Sequence, residues 1–254
     1  MKIGIIQGRL SEPKEGFQEC PVNWQREFNL LSSCGLTHVE WIITEENYWN
    51  NPIFDATDVN KDLVSSICAD FLVGTIFHNK RKFDSYLSPV CEVALKRGIN
   101  NITIPLLEGS SVEDRAVRTQ FVENITPYLE KYRDLNFSIE AELGSGELMD
   151  IISLSDKFFV TYDTGNMTSH GVNHLEYIDV VKDKINNVHL KDRTYDAVTV
   201  PPGEGDTSFA LIFNKLKEVG YDGRFTLQTA RGKDGEEIET IKKHKNYFEE
   251  LYNG

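Results

Sequence analysis

The stretch Asn186-Asn187-Val188-His189-Leu190-Lys191-Asp192-Arg193 brings an imidazole, an ammonium, a carboxylate and a guanidinium together within five residues. It reads as a short buried strand whose far end turns polar. In parallel α/β proteins that end is where ligands bind and chemistry happens. Other carboxylates sit inside or at the ends of apolar runs: Glu40, Asp70, Glu108, Glu140, Glu142 and Asp163. Strands packed on both faces should not carry such groups without a reason, because an unpaired buried charge is expensive. Several carboxylates with one imidazole suit Zn²⁺, Mn²⁺ or Fe²⁺ better than a thiolate site would. Taken singly, His189 could equally be a hydrogen-bonded core histidine, and Asp163 the cap of a turn at Thr164-Gly165.

The elements that must position these residues alternate along the chain. Apolar, strand-like runs fall at residues 2–7, 37–43, 66–71, 101–107, 136–143, 157–163, 184–190 and 224–228. Helical patterns are expected over 23–34, weakly over 61–66, then over 84–97, from a Ser110-x-x-Glu113 capping box to about 133, and near 146–154 and 174–181. The last two, over 208–219 and 236–252, are strongly periodic. A loop runs from residue 8 to 22 through Pro13, Gly16 and Pro21, and residues 44–58 have the length of a lid. About eight strand–helix pairs without a composition break imply a parallel sheet. There is no GxGxxG after the first strand, so a single (β/α)8 TIM barrel spanning residues 1–254 fits better than a doubly wound sheet.

Composition narrows the partners. With 254 residues and 40% apolar content the chain can bury one large core. A formal net charge of −13 repels a phosphate backbone, so no nucleic acid partner is expected. No apolar run approaches the ~20 residues needed to span a bilayer, so no membrane partner is expected either. Cys20, Cys34, Cys68 and Cys91 lack CxxC spacing and read as free thiols of a reducing compartment. A cytoplasmic location is the expectation, with a homo-oligomer compatible.

With SIEAEL, YDTGN, VHLKDR and TLQTAR at the ends of the last four strands, the chain resembles the xylose isomerase-like (AP endonuclease 2-type) TIM barrels, in their sugar-phosphate isomerase/epimerase branch. The ordered set covers essentially the whole chain. The resemblance implies one divalent metal ion (Zn, Mn or similar) held by Glu140, Asp163 and His189, with a small-molecule sugar or sugar phosphate as partner. Two positions depart from the family pattern. Asn166 stands where a His is usual, and Gln228 replaces the strand-eight Glu. Gln228 can still offer its carbonyl oxygen to a metal, but it cannot act as a base.

In the resembling epimerases the metal holds a carbonyl and the adjacent hydroxyl, and two Glu residues exchange a proton on opposite faces. Here Glu140 and Gln228 occupy those two catalytic positions, leaving one base. Proton transfer alpha to a carbonyl through an enediolate can proceed on one face with one base, which tilts the reading to an aldose–ketose isomerase. Glu142 is expected to point away from Glu140's side by strand alternation. Lys191, Arg193 and Arg231, with Asn166, are the expected substrate-binding residues, the cations lying where TIM barrels commonly hold a phosphate. The alternative is a non-catalytic carbohydrate-binding barrel that lost turnover with the strand-eight Glu. An abasic-DNA endonuclease is disfavoured by the acidity and by too few strand-end histidines for a three-metal cluster. The basic run Lys80-Arg81-Lys82 reads as a solvated loop, and His78, His170 and His174 as surface or loop residues.

Overall fold

In the computed structural model, which describes residues 1–13, 20–74 and 76–254, eight parallel strands close into one barrel. They are β1 (Lys2–Ile6), β2 (Val39–Ile42), β3 (Val64–Cys68), β4 (Asn101–Leu106), β5 (Asn136–Ala141), β6 (Phe158–Asp163), β7 (Ile185–Leu190) and β8 (Arg224–Leu227). The first strand pairs with the last from Lys2↔Arg224 to Ile5↔Leu227, which closes the sheet. The single (β/α)8 barrel expected from the alternation is the fold. The expected loop over 8–22 is described only at its two ends; Gly16 lies outside the described residues.

The surrounding helices are α1 (Trp24–Leu31), α2 (Lys80–Arg97), α3 (Arg115–Lys131), α4 (Ser145–Ile152), α5 (Thr164–Ser169), α6 (His174–Val181), α7 (Phe209–Glu218) and α8 (Glu237–Asn253). Their apolar faces bury residues such as Phe121, Ile125, Ile151, Phe213 and Phe248 against the outside of the barrel. Within the barrel, inward positions are often polar (Glu40, Ser66, Thr103, Ser138, Asn187, Thr226), and side-chain hydrogen bonds join many of them. Gly4 is required in this lumen, since a Cβ there would meet the His38 ring at 2.3 Å.

Four expectations are corrected. No α-helix stands between β2 and β3, only 3-10 turns at Tyr48–Asn50 and Lys61–Leu63. The side chain of Asn51 organises that segment instead, donating to Ile42 O at 2.9 Å and accepting from Trp41 Nε1 at 2.9 Å. With Tyr48 and Ile53 also buried, much of residues 44–58 is packed structure. Second, β3 begins at Val64 and stops before Ala69, placing Asp70 in the turn that follows. Third, α2 starts four residues earlier than its pattern suggested, because Asn79 accepts from Lys82 N and caps it; Lys80-Arg81-Lys82 is its first turn. Fourth, α3 is capped by Asp114, which accepts from Ala116 N and Val117 N, so the Ser110/Glu113 box does not form. Ser110 instead serves the preceding turn, accepting from Leu107 N.

His38, His174 and His244 share a property that composition hides. Burial lowers each to a pKa of about 4 from the ordinary 6.5. His174 bonds Tyr162 Oη at 2.6 Å and Thr168 Oγ1 at 3.0 Å, so it is a packing residue and not a surface one. Between pH 6.5 and 4 the unfolded chain binds protons that the folded chain does not. Stability is therefore expected to be full above about pH 6.5 and to fall as the pH drops towards 4. Melting curves across that window check this, and His174→Gln should flatten the slope. An unchanged slope would mean that His174 titrates normally in the folded protein.

Candidate active site

Glu140, Asp163 and His189 end β5, β6 and β7, and register brings them together. Asp163 pairs with His189 across β6 and β7, and His189 with Thr226 across to β8. One ligating atom from each of Glu140, Asp163 and His189 lies within 4.8 Å of the others, all buried. His189 Nδ1 is 3.5 Å from Glu140 Oε2 and 3.9 Å from Asp163 Oδ2. Gln228, one residue past β8, is 3% exposed and lines the same cavity as Glu140.

Three buried polar atoms make no well-directed hydrogen bond: His189 Nδ1, Asp163 Oδ2 and Gln228 Oε1. The Lys191 ammonium is 2.9 Å from that Asp163 oxygen and forms a buried ion pair with it. Leaving His189 Nδ1 and Gln228 Oε1 without a partner costs roughly 1–3 kcal/mol each. A divalent cation at the Glu140–Asp163–His189 group would engage His189 Nδ1 and Asp163 Oδ2, and two carboxylates beside a neutral imidazole would balance its charge. The donor set therefore fits the expected ion. Asp163 combines both roles the sequence left open, since its Oδ1 accepts from Asn166 N at 2.8 Å and caps α5 while Oδ2 faces the group.

Glu40 is a carboxylate to which sequence alone assigns no function. It is fully buried, and its Oε2 sits 2.7 Å from His189 Nε2 and 3.0 Å from the Asn187 amide. Thr103 Oγ1 donates to its other oxygen at 2.5 Å. Burial alone would raise the Glu40 carboxyl, but His189, with Thr103 and Ser66, holds it below the usual range. Burial likewise opposes charge on His189, while Glu40 and Glu140 raise it well above an ordinary histidine. With Nε2 engaged by Glu40, the ring presents Nδ1 to Glu140 and Asp163. This is the orientation that a carboxylate partner gives a ligating histidine. A carboxylate within the otherwise apolar Val39–Ile42 strand was the available signal.

Glu140 lies on the wall of a cavity of about 650 Å³ that opens at the C-terminal end of the strands, with Asn166, Lys191, Arg193 and Gln228 beside it. Asn166 bridges the group, its amide donating to Glu140 Oε1 at 3.3 Å and its carbonyl accepting from Lys191 Nζ at 3.3 Å. Arg193 Nη1 is 3.8 Å from Glu142 Oε1. Glu142 also lines the cavity, contrary to the expectation, because residues two apart on a strand share a face and Glu142 follows directly on the end of β5 at Ala141. His170 joins this rim, 3.7 Å from Glu142. Arg231 is not brought to this cavity. Its Nη1 donates to Ser11 O, and it lines a separate small pocket with Arg9 and Ile241.

Asp192 turns inward beneath the loop that follows β7. Its Oδ2 accepts from Gly203 N at 2.8 Å and Gly205 N at 3.1 Å, and its Oδ1 from Thr207 N at 3.2 Å. A Cβ on Gly205 would lie 2.3 Å from Oδ1, so only glycine allows this close approach. The VHLKDR stretch thus points His189 and Lys191 at the cavity and uses Asp192 to fasten the neighbouring loop.

The model of the xylose isomerase-like TIM barrels matches residues 78–251. The chain belongs to this family. A Haemophilus influenzae protein named "Putative L-ribulose-5-phosphate 3-epimerase SgbU" is 25% identical over 270 aligned residues, covering 93% of this chain and 91% of that protein. Among solved structures, D-allulose 3-epimerase from Methylomonas sp. in complex with D-allulose superposes with a TM-score of 0.75 at 14% identity, covering 99% of this chain and 97% of that one. The IOLI protein with a bound zinc atom superposes with a TM-score of 0.73 at 15% identity over all of both chains. At such identities the superpositions show the shared barrel. Within this xylose isomerase-like barrel, the buried Glu140–Asp163–His189 group could hold a metal ion. No helix among the described residues is long and apolar enough to cross a membrane.

Proposed function

We propose that the protein is a metal-dependent sugar isomerase that moves a proton alpha to a carbonyl. The observation carrying this reading is the buried Glu140–Asp163–His189 group, its ligating atoms within 4.8 Å of one another, beside a cavity large enough for a sugar that Glu140 and Gln228 line. Glu140, Asp163, His189 and Gln228 would hold one divalent ion, Zn or Mn being the natural choices for this donor set. Such an ion would polarise a carbonyl and its neighbouring hydroxyl and acidify the C–H between them.

The chain's own residues do the rest. Glu140 takes the proton from one carbon and returns it to the next on the same face, while the hydroxyl proton passes to the neighbouring carbonyl oxygen, which becomes the new hydroxyl. Lys191 and Asn166 orient substrate oxygens from positions fixed by Asp163 and Glu140. Arg193 stands farther out on the rim. Gln228, being neutral, serves as ligand and not as a second base, which favours aldose–ketose interconversion over inversion. The curated relative's epimerase name keeps inversion as the competing outcome.

Proton NMR of Mn²⁺-loaded protein with ketoses in D₂O tests this. Deuterium should enter beside the carbonyl, with aldose formed and no inverted ketose. Gln228→Glu, which restores a second carboxylate, should add inversion at a rate above the wild type. Inversion as the main wild-type product would overturn the one-base reading. Ligand binding without exchange would leave a carbohydrate-binding barrel.

A further inference from the structure

The charges around the cavity carry one step more. Among the described residues, Glu46, Asp70, Glu108, Glu140 and Glu142 line it, against two cations, Lys191 and Arg193. Both cations are committed: Lys191 lies 2.9 Å from Asp163, and Arg193 lies 3.8 Å from Glu142. Arg231, the remaining cation expected at a phosphate position, lines a different pocket. The outer wall beyond β2 and β4 is acidic, through Glu46 and Glu108. Glu108 holds its place with a backbone φ of +49°, a conformation that L side chains rarely adopt.

From this arrangement we infer that the cavity selects an uncharged, unphosphorylated sugar. Carboxylates only accept hydrogen bonds when ionised, and sugar hydroxyls donate them, so an acidic wall suits a polyol. A phosphate ester brings about −1.5 to −2 charges at pH 7. Towards β2–β4 it would meet like charge. Towards β7 it would have to take Lys191 from Asp163 or Arg193 from Glu142. The outward-facing carboxylates Glu46 and Glu108 are thus specificity determinants. This inference rests on the sugar-binding part of the function proposed above.

The test uses Mn²⁺-loaded full-length protein with pentuloses and hexuloses, each paired with its terminal phosphate. Thermal melting shifts read binding, and NMR reads turnover. Neutral ketoses should bind, and react where reaction occurs, at least about tenfold better than their phosphates, the discrimination that about 1.4 kcal/mol provides. Glu46→Lys combined with Glu108→Lys should narrow that ratio several-fold, and added salt should narrow it too. A phosphate ester preferred or matched in either readout would overturn the inference while leaving the isomerase reading intact. Neutral binding without turnover would uphold the inference and sink the isomerase. No shift with any sugar would overturn both.

Discussion

Glu140→Gln is expected to lower turnover by about 10²–10⁴-fold, the range that removal of a positioned general base produces. The substitution keeps the shape of a buried side chain whose Oε1 already meets the Asn166 amide at 3.3 Å. It also removes one of the charges facing His189 at 3.5 Å, so metal should be lost together with activity. The melting temperature of metal-free protein should be unchanged or higher, because an acidic cavity loses a carboxylate. Steady-state kinetics, metal analysis and melting on the same preparation separate these effects. A variant that keeps metal and loses only turnover would assign Glu140 to proton transfer alone. A variant with near-normal turnover would remove it from the chemistry.

The second large effect belongs to Glu40. Glu40→Ala would leave His189 Nε2, the Asn187 amide and the Thr103 hydroxyl without their acceptor inside the barrel. Breaking a buried charged pair by removing one partner costs about 3–5 kcal/mol. For a chain of this size that is a fall in Tm of roughly 10 °C. Freed to rotate or change tautomer, the His189 ring should also lose about 10–100-fold in metal affinity. Glu40→Gln, which keeps an acceptor oxygen, should recover most of the stability and less of the affinity. That split marks Glu40 as a positioning residue, since a packing role alone would move both together. Equal recovery of the two would contradict the assignment.

The barrel was legible because it obeys short-range rules. Apolar strand runs alternate with periodic helices along the whole chain. Glu140, Asp163 and His189 are ambiguous singly and implied as a set by the ordered family motifs, and the structure brings them together. Interactions that depend on closure of the barrel were not legible. Glu40 and His189 are 149 residues apart, and nothing local in β2 says that its side chain meets β7 across the lumen. The pairing of Lys191 with Asp163 and the diversion of Arg231 to Ser11 are likewise set by packing. Both changed the chemistry, because cations read as a phosphate site are committed elsewhere. Helix starts failed for a simpler reason. Asn79 and Asp114 are equally good caps to those expected, and the choice between neighbouring caps depends on what the first turn packs against.

The most direct test of the account is metal stoichiometry. Protein purified without chelator, then loaded with Mn²⁺ or Zn²⁺ and desalted, should carry about one divalent ion per chain, with charge and donor count matched as in other mixed carboxylate–histidine sites. The Glu140→Gln variant, treated identically, should carry far less. Wild-type protein that is folded by circular dichroism and binds neither ion after loading would contradict the metal centre, and with it the isomerase built on that centre.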